Sequence, residues 1–415
     1  MVVAPGDVIA GRFEIRARAG EGGMGTVHRA VDHLTGAEVA VKILREVGPN
    51  DLGRFAREAT LLAELEHPGI VRYVAHGTSE EGLPYLVMEW LEGRTLGELL
   101  HERGVSADEG VSLVRAIAGS LAAAHGRGIV HRDLKPDNIL FPGGDLTRPI
   151  LIDFGIARRA GGPRDITRTG LMIGTPGYMA PEQARGEPID ARADVFALGC
   201  VLHECLTGVP PFAGASQTAV WVKVVLCDPP EVAGVAPGLA ALVARLLAKE
   251  PDQRPADAGA VERALAAVGP SGGARRRSQA ADEVTATAIL RAPACALLIG
   301  PGGGELGEAA AIAHASGFRF DPLADGGAVA TPSGGSAPVD AAAHLALSLA
   351  DCLPGRIIAI ASGAQAIDRA AALLAETSLE RAVEGASESR VVIDEASARR
   401  VSIPVREQAG RHHLR

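Results

Sequence analysis

The sequence predicts an α+β fold, a strand-rich stretch followed by a mostly helical one, and then a smaller α/β or α+β domain. Three observations carry this expectation. Short apolar–polar runs broken by glycines fill residues 13–45, and helical spacing dominates from about residue 185 through Ala267. A stretch rich in glycine, serine and charge then precedes a second set of strands and helices. A length of 415 residues gives room for two or three domains, and 47% hydrophobic against 22% charged residues supplies packed cores rather than a disordered chain.

The elements follow in order. FEIRARA, TVHRAVD and EVAVKIL alternate as three strands of an antiparallel meander. DLGRFAREATLLAELEH has helical spacing, which gathers Leu52, Phe55, Leu61, Leu62 and Leu65 on one side. LPYLVMEWL returns to strand, and TLGELLHERG and VSLVRAIAGSLAAAHGRG are helical. These runs belong to a first unit over 13–268. The segment 269–290 reads as a solvent-exposed linker, in which Arg275, Arg276 and Arg277 precede Ser278. Over 291–400, CALLIG, GAVATP, RIIAIASG and RVVIDE are strand-like, and AAAHLALSLADCL and IDRAAALLAET are helix-like. Residues 401–415 are expected to be a solvated tail, since RHHLR shows no obvious element and the adjacent His412 and His413 make a poor metal geometry.

Composition removes several function classes. A net charge of −9 argues against an extended nucleic-acid surface, and 3% aromatics argues against base-stacking platforms. No run of 18 apolar residues predicts a membrane span, and the first twenty residues lack a leader pattern. The five cysteines, Cys200, Cys205, Cys227, Cys295 and Cys352, are odd in number and form no CxxC pair. A reducing, cytoplasmic setting without disulfides or a zinc knuckle is therefore expected. Of 41 basic residues only Lys42, Lys135, Lys223 and Lys249 are lysines. Where lysine is this scarce, it marks places where a guanidinium cannot substitute.

The chemistry-bearing motifs begin at GEGGMG, residues 20–25. Its GxGxxG spacing is shared with dinucleotide-binding loops, but those run from strand straight into helix, whereas this one is flanked by strands. Glycines let backbone amides approach phosphates, so a strand–loop–strand flap can close over them. Lys42, on the next strand in VAVK, can neutralise the α- and β-phosphates of ATP, and Glu58, sixteen residues on, can hold its long stem. The most specific string is HRDLKPDN at 131–138, followed by DFG at 153–155. Asp133 can orient an acceptor hydroxyl, Lys135 can stabilise charge on the transferred phosphoryl group, and Asn138 and Asp153 supply oxygen ligands suited to Mg²⁺.

With these motifs in order, residues 13–268 resemble a bacterial eukaryotic-like Ser/Thr protein kinase. The resemblance implies a bilobal fold: an N-lobe antiparallel sheet with one helix and a helical C-lobe, with ATP between them. It implies Asp133 as catalytic base, Lys42 and Glu58 as the activating ion pair, and Asn138 and Asp153 as magnesium ligands. The flap Ala19, Gly20, Glu21, Gly22, Gly23, Met24 and Gly25 would cover the nucleotide. Val27, Ala40 and Leu140 would sandwich the purine, with Met88 as gatekeeper and the Glu89 carbonyl and Leu91 amide on the adenine edge. Thr175, in GTPGYMAPE, would hydrogen-bond toward Asp133 and Lys135, and Lys135 with Thr175 favours Ser/Thr over Tyr acceptors. Glu182 would pair with Arg254, and Asp194 would brace the catalytic loop. Arg132 before the catalytic Asp implies control by phosphorylation of the activation loop, which offers Thr167 and Thr169. Protein substrates are the implied partners, with no nucleic acid and no membrane. Two other readings are a non-catalytic ATP-binding scaffold, separable by Asp133→Asn, and a dinucleotide-dependent oxidoreductase, disfavoured by HRDLKPDN.

Residues 292–399 resemble the class III nucleotide cyclase homology domains fused to some bacterial kinases. CALLIG, GFRFDPLADGGAVATPSG, PGRIIAIASG with AIDRAAALL, and RVVIDEASARR carry the likeness. Asp325 could match one metal-binding carboxylate of that family, but the other falls near Gly300, which has none. The purine-reading lysine is replaced by Asp321, and the transition-state Asn and Arg align with Asp368 and Ala372. A two-metal mechanism needs both carboxylates, so a catalytically empty domain is expected, serving docking, sensing or dimerisation. A homodimer through the kinase or the C-terminal domain is accordingly among the expected partners.

Overall fold

The computed structural model describes residues 3–22, 25–44, 49–80, 82–155, 176–214, 216–268, 295–301, 306–333, 339–353, 355–363, 365–384, 390–403, 405–408 and 411–414. The first lobe is a sheet of order β1-β2-β3-β4-β6-β5, built from β1 (Val8–Ile9), β2 (Phe13–Gly22), β3 (Gly25–Asp32), β4 (Glu38–Leu44), β5 (Tyr73–Thr78) and β6 (Pro84–Glu89). Every neighbouring pair is antiparallel, and β2, β3 and β4 form the expected meander. Alternation sets the two faces. Phe13, Ile15, Val39, Val41 and Val87 form one buried layer, while Ala40, Leu86 and Met88 face α1 (Pro49–Ala63).

Helix α1 buries Phe55, Ala59 and Leu62 against that sheet. Leu61, expected on the same side, is instead 41% exposed. One residue turns the helix by about 100°, so a face centred on 55, 59 and 62 leaves position 61 well outside it.

The second lobe starts with β7 (Gly93–Thr95), α2 (Leu96–Glu102), α3 (Ala107–His125), β8 (Ile139–Pro142) and β9 (Ile150–Leu151). The three strands form a small sheet of order β7-β8-β9 that carries the loops of the cleft. Thr95 and Ser106 each open a helix with a reciprocal capping box to Glu98 and Glu109. Then come α4 (Pro181–Arg185), α5 (Ala191–Thr207), α6 (Gln217–Leu226), α7 (Pro237–Leu246) and α8 (Ala258–Ala267). Helix α5 is buried almost all round, which explains its unbroken run of apolar residues.

His203 lies inside this lobe, and burial pushes its pKa down to about 4. Above its ordinary value of 6.5 the ring is neutral in both folded and unfolded chains. As pH falls through that value, the unfolded ring takes a proton that the folded ring refuses. Stability then declines until about pH 4 is reached, by on the order of 3 kcal/mol in all. Thermal midpoints should therefore fall between about pH 7 and about pH 5, and His203→Gln should flatten that slope. An unchanged slope in the variant would contradict the assignment.

The C-terminal part is a seven-stranded sheet of order β11-β12-β10-β13-β14-β16-β15. It comprises β10 (Cys295–Ile299), α9 (Leu306–Ala315), β11 (Phe318–Pro322), β12 (Ala328–Pro332), α10 (Val339–Cys352), β13 (Ile357–Ser362), α11 (Ala366–Glu384), β14 (Arg390–Ile393), α12 (Glu395–Ala398), β15 (Val405–Gln408) and β16 (Arg411–Leu414). Among the described strands of this sheet only β13 and β14 pair in parallel. The expected tail at 401–415 is corrected: β15 and β16 form a hairpin, and His412 and His413 lie opposite Ile393 and Val392. Ladder hydrogen bonds to β14, rather than a long apolar stretch, make this polar segment a strand. The expected linker at 269–290 lies outside the described residues. All five cysteines are free thiols, four of them buried. Among the described residues no helix is long and apolar enough to cross a membrane.

Candidate active site

The cleft lies between the β2–β3 hairpin above and the loop from Ile129 to Asn138 below. The hairpin register pairs Gly20 with Val27, Glu21 with Thr26 and Gly22 with Gly25, so the glycine motif turns from strand to strand. A bulge between Arg18 and Gly20 leaves Ala19 as the extra residue. Gly25 cannot be replaced without moving backbone: a Cβ there would sit 2.0 Å from the Ile43 carbonyl oxygen. Gly23 and Met24 lie outside the described residues.

Behind the flap, register aligns the apolar wall. Val27 lies opposite Lys42, and Ala40 lies opposite Met88. Met88 is buried, and Val27 and Leu91 pack on the same core. Glu89 ends β6 and ties it to the segment before β5: its amide donates to the Arg72 carbonyl, and its Oε1 accepts the Arg72 amide. Leu140, on β8, lies opposite Thr95 and Ile150 and contributes the lower wall.

The lower loop is held by one buried carboxylate. Asp194, on α5, accepts the His131 amide at 2.7 Å, the Arg132 amide at 2.9 Å and the His125 ring at 3.0 Å. Burial works against its charge, yet the His125 bond, the neighbouring histidines and the His131 amide outweigh it and hold the carboxyl below its ordinary range. This bracing keeps Arg132 in the left-handed region at φ 65, a conformation that a β-unbranched side chain enters only at a cost. His131 is fully buried against Phe154, with ring centroids 4.4 Å apart. Burial pushes its pKa down, so the ring is neutral. The Asp133 amide donates to Nδ1, which leaves the Nε2 proton for the Ile152 carbonyl.

Asp133 therefore projects from a loop whose backbone is tied on both sides. Asn138 Nδ2 donates to the Asp133 carbonyl at 2.8 Å and to its Oδ2 at 3.3 Å, and Lys135 Nζ lies 3.5 Å from the same Oδ2. Since Nδ2 of Asn138 is engaged with Asp133, Oδ1 is the atom left to meet a cation. Asp153, at φ 60, presents a carboxylate that is 34% exposed to the cleft. Two oxygen donors without a complete shell suit Mg²⁺, which keeps waters and takes further oxygens from a nucleotide.

One expected pairing is exchanged. Lys42 bonds Asp153 rather than Glu58. Glu58 instead accepts from Arg132 Nη1, at 2.9 and 2.8 Å. The physical reason is that lysine and arginine side chains are long, so tertiary position rather than sequence spacing decides which carboxylate each one meets. Thr167, Thr169 and Thr175 lie outside the described residues.

The supporting pair is found where it was expected. Glu182 and Arg254 form a buried bidentate bridge at 2.7 and 2.8 Å. Arg254 places all five donors, adding the carbonyls of Ala248, Arg192 and Lys249. Gln183 is a residue that sequence reasoning missed: its Nε2 donates to the Arg132 carbonyl at 3.0 Å and so links α4 to the catalytic loop.

In the C-terminal part, the residues aligned with cyclase chemistry are engaged otherwise. Asp325 Oδ1 accepts the Gly327 amide, and burial raises its pKa. Asp321 pairs with Arg319, and Asp368 pairs with Lys223 of α6. Gly300 carries no carboxylate, and its carbonyl accepts from Arg356.

Comparison with known proteins gives a family match over residues 13–266, to the protein kinase domain. The DNA damage-responsive serine/threonine-protein kinase RqkA of Deinococcus radiodurans is 40% identical over 267 residues, covering 61% of this chain and 39% of that protein. Serine/threonine-protein kinase PknB of Mycolicibacterium smegmatis is 42% identical over 258 residues, covering 59% of this chain and 41% of that protein. A crystal structure of the Mycobacterium tuberculosis PknI kinase domain aligns with a TM-score of 0.49 at 25% identity, over 64% of this chain and 99% of that one. The chain spans about two-fifths of the length of the two curated relatives named.

Proposed function

Because this chain belongs to the protein kinase family, we propose that it transfers the γ-phosphoryl group of ATP to serine and threonine hydroxyls of proteins. The observation that carries this reading is the convergence of Asp133, Lys135, Asn138 and Asp153 on one side of a cleft whose other side holds Lys42. The roles follow from position. Asp133 accepts the hydrogen bond of the incoming hydroxyl and aligns it for in-line attack. Lys135, beside it, balances the charge that grows on the transferred group. Lys42 would hold the α- and β-phosphates, and Asp153, which it bonds in this structure, would serve as a ligand of the cation. Mg²⁺, when bound, would neutralise charge on the β- and γ-phosphates, with Asn138 and Asp153 as its protein ligands.

The activation loop extends the reading. Thr167 and Thr169 are proposed sites of autophosphorylation, and Thr175 is proposed to select Ser/Thr acceptors together with Lys135. A reducing, cytoplasmic location agrees with five free thiols.

For the C-terminal part we infer a cyclase-like module without cyclase chemistry. Its support is the absence of a carboxylate at Gly300 and the engagement of Asp321 and Asp368 with Arg319 and Lys223.

One incubation tests both readings. The full chain is supplied with Mg²⁺, labelled ATP or GTP, and a generic protein substrate. Phosphoserine or phosphothreonine should appear in substrate or enzyme, with phosphopeptides at Thr167 or Thr169, and no cyclic nucleotide should form. Label confined to tyrosine, or no protein label, would overturn the kinase reading. Detectable cyclic AMP or GMP would overturn the second.

A further inference from the structure

The sheet of the C-terminal module has two apolar faces. One, made by Leu297, Ile299, Ala330, Ile358 and Ile360, is covered by α9 and α10. The other includes Leu298, Ala359 and Ala361, and its own helix α11 covers only part of it. The rest of that layer comes from the kinase: Trp221, Val222 and Val225 of α6 are buried in the same cluster. A sheet face must be covered to be stable, and here a helix of another lobe completes it.

Polar contacts fasten the junction. Lys223 Nζ, on α6, bonds the Asp368 carboxylate at 2.7 and 2.9 Å and the Ala213 carbonyl at 2.8 Å. Asp368 stands in the first turn of α11, where the helix N-terminus favours a negative charge. The Ala324 amide donates to the Ala184 carbonyl on α4 at 2.9 Å, and Arg185 lies 3.8 Å from Asp321. The two lysines that the cleft does not use are thus both attached to α6. Lys249 Nζ donates to the Val224 carbonyl at 2.6 Å, near the helix C-terminus, and sits 4.0 Å from the centre of the Phe212 ring.

Helix α4 lies between this junction and the cleft. The module holds it at Ala184 and Arg185, while Gln183 holds the carbonyl of Arg132. Arg132 donates to the Glu58 carboxylate, while Lys42 bonds Asp153. We propose that the C-terminal module regulates the kinase in cis: docked on α4 and α6, it fixes Arg132 in the geometry that retains Glu58, and undocking frees Glu58 for Lys42. This inference rests on the kinase reading for its consequence, but not for its structural content. A module bound more tightly to one arrangement of the loop shifts the equilibrium by that difference and no more.

The test uses the full chain and reads hydrogen exchange as well as rate. Asp368→Lys places like charges at the Lys223 contact, and the reciprocal pair Lys223→Asp with Asp368→Lys restores attraction. Asp368→Lys should speed exchange in peptides over 217–226 and over 129–140, and should raise phosphotransfer about fivefold or more. The reciprocal pair should return all three toward wild type. Faster exchange at 217–226 with an unchanged catalytic loop would overturn the coupling. Unchanged exchange at 217–226 would overturn the docking contact. Exchange at 129–140 is read without turnover, so a chain that transfers no phosphoryl group would sink the kinase reading while the coupling still stands or falls on its own measurement.

Discussion

Asp133→Asn is expected to lower kcat by about 10²- to 10⁴-fold while leaving the KM for ATP and the thermal midpoint near wild type. The Asp133 carboxylate meets Asn138 Nδ2 and Lys135 Nζ at 3.3 and 3.5 Å. The loop itself is held through backbone groups by Asp194 and His131. An isosteric amide therefore preserves the shape and removes the proton acceptor. Steady-state kinetics with a circular-dichroism melt separates the two effects. A loss in kcat below about tenfold would remove Asp133 from the chemistry, since a positioned base is worth more than that.

Arg254→Ala is expected to cost about 3–5 kcal/mol, the largest stability loss of any single change considered. The guanidinium is completely buried, and so is nearly all of Glu182. Removing the arginine strands a carboxylate without its partner and takes away a donor from each of the Ala248, Arg192 and Lys249 carbonyls. Arg254→Lys should recover only part of this, because an ammonium has three donors and no planar fork. Soluble yield and the thermal midpoint should drop in both variants, with nucleotide affinity little changed in the protein that survives. An unchanged midpoint for Arg254→Ala would contradict the structural role of the pair.

The loop that carries Asp133, Lys135 and Asn138 was legible because short motifs specify both residue type and spacing. HRDLKPDN needs one loop to carry a base, a cation and a metal ligand, and the Asp194 contacts hold that loop as expected. The meander of β2, β3 and β4 was legible because half-buried strands alternate. The exchanged ion pairs were not. A motif names Lys42, Glu58, Arg132 and Asp153, but their long side chains reach more than one partner, and tertiary position decides among them. The final hairpin escaped for another reason. Val405–Gln408 and Arg411–Leu414 form at a sheet edge through ladder bonds, which leave little apolar signature in the sequence.

Other signals were present and unread. The capping boxes at Thr95 with Glu98 and Ser106 with Glu109 mark two helix starts. In AVWVKVVL of α6, the apolar residues surround the helix on all sides, which a surface helix of a lone lobe would not need. Burial on both the kinase and the module side is the physical reason for that pattern.

The most direct measurement is a crystal structure of the full chain with Mg²⁺ and a non-hydrolysable ATP analogue. The nucleotide should lie beneath the β2–β3 hairpin with Lys42 on its phosphates, Asn138 and Asp153 on the cation, and Asp133 facing the γ-phosphate. A nucleotide bound elsewhere, or Lys42 still closed on Asp153 with the cleft empty at saturating analogue, would contradict the account.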